Sequence, residues 1–128
     1  MTPFLHPLLI VKASSVHGWG VFTNGDLPQG LVVERSPILT ISTTIDKPSP
    51  LLYDYRFGWP QGKAWTEFVI GLGYSSFYNH SSSPNTKWWS SEEDRLLIFE
   101  TLRKVDAGEE LFSYYGEDYD WVSATKNH

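Results

Sequence analysis

Nine residues, Phe77-Tyr78-Asn79-His80-Ser81-Ser82-Ser83-Pro84-Asn85, constrain this chain more than any other stretch. They sit in an apolar and aromatic run, yet they insert Asn, His and three Ser. Polar side chains inside such a run must be hydrogen-bonded or they cost stability. Asn79 and His80 each offer donors and acceptors with fixed directions. Pro84 fixes its own φ and biases Ser83 away from helix. The segment is therefore expected to enter a core, turn, and leave polar groups in a pocket. A purely local alternative is a buried Asx turn whose side chains bond only their own backbone.

Around this stretch the chain reads as short strands separated by turns. Leu8-Leu9-Ile10-Val11-Lys12 is expected to be the first strand, and residues 14–18 a turn. In Gly18-Trp19-Gly20-Val21-Phe22, glycines on both sides of a tryptophan let backbone approach a neighbour closely. The alternative there is a hairpin turn with Trp19 packed on the core. Asn24-Gly25-Asp26 and Pro28-Gln29-Gly30 are turn signals. Leu31-Val32-Val33-Glu34 and Pro37-Ile38-Leu39-Thr40-Ile41-Ser42 read as two strands. Leu27-Pro28-Gln29-Gly30-Leu31-Val32 recurs loosely as Val105-Asp106-Ala107-Gly108-Glu109-Glu110; both read as tight turns feeding a strand, too short for a repeat architecture. Residues 43–50 read as a loop. Residues 51–73 are rich in aromatics without clear periodicity, and a helix of about two turns is expected to start near Trp65. Thr86-Lys87-Trp88-Trp89 is a strand, residues 90–94 an acidic hairpin tip, and Arg95-Leu96-Leu97-Ile98-Phe99-Glu100-Thr101 the clearest buried strand. Residues 117–121 are acidic and aromatic; the last six residues are expected to fray.

At 128 residues the chain is one domain, 1–128. It has no cysteine, which excludes disulfides and Cys-based zinc sites. His80 is not expected to bind metal, because His6, His17 and His128 show no ligand spacing with it. No Ser lies in a nucleophile-elbow context. The formal net charge of −5 argues against direct nucleic-acid binding and suits a basic peptide, though it also serves plain solubility. No apolar run reaches membrane-spanning length, and the first nine residues lack a basic signal-peptide region. An intracellular setting, cytoplasm or nucleus, is expected.

A second stretch, Gly108-Glu109-Glu110-Leu111-Phe112-Ser113-Tyr114-Tyr115-Gly116, gives the first a context. Together they resemble the signature motifs of the SET-domain protein lysine methyltransferases, R-F-x-N-H-S-C-x-P-N and G-E-E-L-x-F-D-Y-G. Phe77, Asn79, His80, Ser81, Pro84 and Asn85 match the first; Gly108, Glu109, Glu110, Leu111, Tyr115 and Gly116 match the second. The departures are Ser76 for Arg, Ser82 for Cys, Ser113 for Phe and Tyr114 for Asp. Gly18-Trp19-Gly20 resembles the family's N-terminal G-x-G turn. In size the chain is similar to the minimal viral members, in which case the setting would be the host cell.

The resemblance implies a mostly β fold of small curved antiparallel sheets with short helices and a C-terminal pseudoknot. It implies S-adenosylmethionine as cofactor, with the methyl passed to a lysine on a protein, such as a histone-like tail. Gly18, Trp19, Gly20, Asn79, His80, Tyr115 and Trp121 would hold the cofactor. Tyr115 would supply the catalytic hydroxyl, with the adjacent Tyr114 as rival. Tyr53, Tyr55, Ser113, Tyr114 and Tyr119 would line the lysine channel, where aromatic faces attract an ammonium. Trp121 and Tyr119 read equally as a cap on the adenine or as an anchor on the core. A small Ser113 would leave room for two or three methyl groups. The competing functional reading is a non-catalytic SET-fold module that grips a lysine-containing peptide, and a homodimer that completes a substrate groove stays open.

Overall fold

The computed structural model describes residues 1–41, 56–59 and 67–114. They form ten strands in two sheets: β1 (Phe4–Leu5), β2 (Leu9–Ala13), β3 (Trp19–Thr23), β4 (Val32–Ile41), β5 (Arg56–Trp59), β6 (Glu67–Gly71), β7 (Asn79–His80), β8 (Thr86–Ser91), β9 (Leu96–Thr101) and β10 (Glu110–Ser113). A single 3-10 turn, Ser75–Phe77, is the only helical element among the described residues. The larger sheet runs β5-β6-β4-β9-β8, with β1 also on β4; the smaller runs β2-β3-β10-β7. Among the described residues all pairings are antiparallel except β10 with β7. The mostly β expectation holds, and the one parallel pair lies at the Asn79-His80 motif. The expected C-terminal pseudoknot lies outside the described residues.

Three local readings change. The first strand is Phe4–Leu5, ahead of the expected one. The two strands expected around Ser36 are one ten-residue strand, β4, with a bulge between Val32 and Glu34. Pro37 suggests a break because it has no N–H to donate. The Leu72 amide still bonds Pro37 O at 2.8 Å, while Leu72 O accepts the Ser36 hydroxyl in place of the missing N–H. The helix expected from Trp65 is overturned over residues 67–71. That segment is β6, a strand held on both sides: Phe68, Val69, Ile70 and Gly71 pair with β4, and Glu67 to Ile70 with β5. Two-sided pairing outweighs a weak helical preference.

The loose recurrence in the sequence is a pair of turns that face each other. Leu27 and Val105 exchange both backbone hydrogen bonds, at 2.8 and 2.9 Å. Gly30 N–H donates to Thr101 O, and Gly108 N–H to Thr23 O. Thr23 N–H donates to Glu109 O, and Thr101 N–H to Leu31 O. Each turn thus closes on the strand that precedes the other. Gly30 (φ 76°) and Gly108 (φ 88°) occupy matching left-handed positions with open space around them, so conformation and not packing selects glycine.

Between the sheets lies a core of Val21, Leu27, Val33, Val69, Leu97 and Leu111 with aromatic fill. Tyr78 stacks on Phe99 at 4.2 Å, and Phe57 meets Trp88 and Phe99 edge-on. Phe57 and the buried Trp59 are therefore structural members of the aromatic run.

One carboxyl is buried in this core. Glu34 accepts the Tyr78 hydroxyl and the Tyr74 amide, both at 2.8 Å, and so ties β4 to the segment leading into Asn79. Burial pushes its carboxyl up from about 4.5 to about 7, against the opposite pull of the Tyr74 N–H and the Tyr78 hydroxyl. Burial and the neighbouring Glu34 hold the Tyr78 phenol above its ordinary range, so it remains a donor. A carboxyl raised in the folded state favours folding when protonated. Its contribution is complete below about pH 4.5 and is lost as pH rises through about 7. Glu34→Gln keeps the neutral shape, so its stability relative to wild type should grow by about 3 kcal/mol between acid and mildly alkaline pH. Urea unfolding across that range checks this; parallel pH curves for the two proteins would contradict it.

Candidate functional site

The polar stretch does not fold into a self-contained turn. Its side chains reach distant strands, which overturns the local alternative. Asn85, fully buried, works as a fragment of backbone: its Nδ2 donates to Glu110 O at 2.8 Å and its Oδ1 accepts Phe112 N–H at 2.7 Å. Thr86 Oγ1 donates to Phe112 O, and Ser81 N–H to Ser113 O. These bonds hold β10 parallel to β7, with Phe112 opposite Asn79 and Ser113 opposite His80. Ser81 keeps a local bond, accepting Ser83 N–H.

Asn79 closes the site from the other side. Its Nδ2 lies 2.9 Å from His17 O, 3.1 Å from Trp19 O and 2.8 Å from Glu110 Oε2. Three acceptors around one atom fix the amide with its nitrogen inward. Asn79 Oδ1 makes no hydrogen bond among the described residues, so the acceptor end of the amide is left over.

Glu110 is the junction. Its Oε1 accepts the Ser14 hydroxyl at 2.7 Å, and Ser14 Oγ in turn accepts the amides of Val16 and His17. One carboxylate therefore holds the turn before β3 and orients Asn79. It also explains the second glycine of Gly18-Trp19-Gly20, because a Cβ on Gly20 would meet Glu110 Cδ at 2.8 Å. Trp19 is half exposed and is not the core residue of the hairpin alternative. The neighbouring Glu109 has a different task. It caps the surface turn through Asp106 N–H and pairs with Arg103 at 3.0 Å, whose hydrogen bond lowers its carboxyl below the ordinary range.

Gly18, Trp19, Gly20, Asn79, His80 and Ser113 thus converge where β3, β7 and β10 meet. Ser113 is buried, and its Oγ has no hydrogen-bond partner among the described residues. Tyr114 is 46% exposed and its ring tilts against His80 at 5.2 Å. Beyond it opens a groove of about 600 Å³ lined by Ser82, Pro84, Lys87, Trp88, Leu102 and Tyr114. Tyr53, Tyr55, Tyr115, Tyr119 and Trp121 lie outside the described residues. Sequence reasoning matched Glu110 and Asn85 to a motif without giving either a role, and it passed over Ser14. The available signal was a charged residue flanked by a buried strand, which requires partners.

A family model described as the SET domain matches residues 18–116, most of the chain. The chain belongs to the SET-domain family. It is 29% identical over 122 residues to a Schizosaccharomyces pombe histone-lysine N-methyltransferase specific for H3 lysine-37, covering 93% of this chain and 80% of that protein. It is 31% identical over 134 residues to the Drosophila pseudoobscura pseudoobscura histone-lysine N-methyltransferase Su(var)3-9, covering 91% of this chain but 21% of that longer protein. The fold is similar to a crystal structure of a Plasmodium falciparum protein described as a histone methyltransferase, with a TM-score of 0.72 at 21% identity over 90% of this chain and 98% of that one.

Asn85 should then carry a structural load separate from ligand binding. Asn85→Ala leaves two backbone groups of β10 unpaired, Glu110 O and the part-buried Phe112 N–H, at roughly 1–3 kcal/mol each. Chemical denaturation should show a loss of roughly 3 kcal/mol or more. A loss under about 0.5 kcal/mol would mean that β10 is held by other contacts.

Proposed function

We propose that this SET-domain chain is an S-adenosylmethionine-dependent protein lysine methyltransferase acting on a basic, histone-like tail inside the cell. The observation that carries this reading is the locked Asn79 amide: its Oδ1 is offered as an acceptor at the junction of all three motif segments, beside a buried carboxylate. The residues fit the cofactor. Asn79 Oδ1 suits an ammonium donor, and the Trp19-Gly20 backbone and His80 border the same place. The relatives named as histone-lysine methyltransferases support the substrate class.

S-adenosylmethionine, when bound, supplies an electrophilic methyl on a sulfonium, so the protein need only present a neutral amine in line. A free lysine, with a pKa of about 10.4, is almost wholly protonated at neutral pH. A narrow apolar channel lowers that value by desolvation, and positioning adds to the rate. Tyr115 would orient the amine with its hydroxyl. Tyr114, packed against His80 and half exposed, is the poorer candidate. Ser113, buried and small, would leave the channel wide.

The test pairs calorimetry with a peptide methylation assay read by mass spectrometry. One cofactor site per chain and di- or trimethyl-lysine product are expected. Tyr115→Phe should lose most turnover while cofactor affinity stays within a few fold, the mark of an interaction made mainly in the transition state. An active Tyr115→Phe beside a dead Tyr114→Phe would assign the hydroxyl to Tyr114. Binding without turnover on any peptide would favour a non-catalytic lysine-binding module.

A further inference from the structure

We propose that Glu110 is a positioning residue that makes the site selective for the ammonium end of its ligand; this rests on the cofactor reading above. Its carboxylate is mostly buried, and among the described residues it accepts from two neutral donors, Ser14 Oγ and Asn79 Nδ2. No cation pairs with it among the described residues. A buried carboxylate without a counter-charge is costly, and a cationic group arriving nearby offsets that cost. Glu110 does not itself present the acceptor. With the His17 and Trp19 carbonyls it holds the nitrogen of the Asn79 amide, which leaves Oδ1 as the amide's acceptor. A donor in place of Glu110 would instead favour the reversed amide, whose N–H groups suit a carboxylate. The same carboxylate holds Ser14, and through it the amides of Val16 and His17. The His17 and Trp19 carbonyls, which complete the Asn79 cradle, thus depend on it as well. Orientation and charge both follow from one side chain.

Glu110→Gln keeps the shape. Its oxygen can still meet Asn79 Nδ2, while the charge is lost and the Ser14 hydroxyl must turn to another acceptor, because Ser14 Oγ already accepts the Val16 and His17 amides. The test is calorimetric titration of wild type and Glu110→Gln with two ligands: S-adenosylhomocysteine, and the same thioether lacking the α-amino group. Glu110→Gln should weaken S-adenosylhomocysteine about tenfold or more and change the deamino analogue less than about twofold. Equal weakening of both ligands would reduce Glu110 to a structural prop and overturn the proposal. No weakening of either would overturn it too. A wild type that binds neither ligand would sink the cofactor reading itself, and that shows before any variant is compared. Should Glu110→Gln fail to fold, Glu110→Asp keeps the charge but withdraws it by one methylene. The preference for the amino-bearing ligand must then fall; an unchanged preference would overturn the proposal.

Discussion

The parallel contact between β7 and β10 is the constraint on which the rest depends. Each strand contributes two residues to it, and a ladder that short cannot hold itself. Side chains complete it. Asn85 bonds the β10 backbone with both ends of its amide, Thr86 adds its hydroxyl, and Asn79 reaches Glu110. Each hydrogen bond is worth only about 1 kcal/mol net, but leaving any of these buried groups unpaired costs more. The network therefore works as one piece, and removing a member exposes the others.

The two facing turns at Leu27 and Val105 set this contact up. By closing each turn on the strand before the other, they bring β3 alongside β10 and β4 alongside β9. On the opposite flank, Glu34 holds the chain just before Asn79 through Tyr74 and Tyr78. A carboxyl there costs stability once ionised. Its place between β4 and the incoming segment fixes the entry to the motif, while Glu110 fixes its exit. The two buried carboxyls flank one stretch of chain and answer to different partners.

Much of this was legible in the residues. Leu96–Thr101 is apolar along most of its length and is indeed a buried strand. The three motif segments named the family and the place of the site. What the sequence hid was long-range. Nothing near Asn85 says that its amide will complete a strand about twenty-five residues on, because that bond exists only once β10 is in register. Pro37 misled because the Ser36 hydroxyl replaces its missing donor. The segment after Trp65 misled because strand pairing on both sides decides its state. Glu34 and Glu110 look like surface residues until their partners, tens of residues away, are in place.

A crystal structure with S-adenosylhomocysteine bound would probe the orientation of the Asn79 amide most directly. The predicted result is the ligand ammonium within hydrogen-bond distance of Asn79 Oδ1, with Asn79 Nδ2 still on Glu110. Ligand bound away from β3, β7 and β10, or an Asn79 turned so that Nδ2 faces the ligand carboxylate, would contradict it.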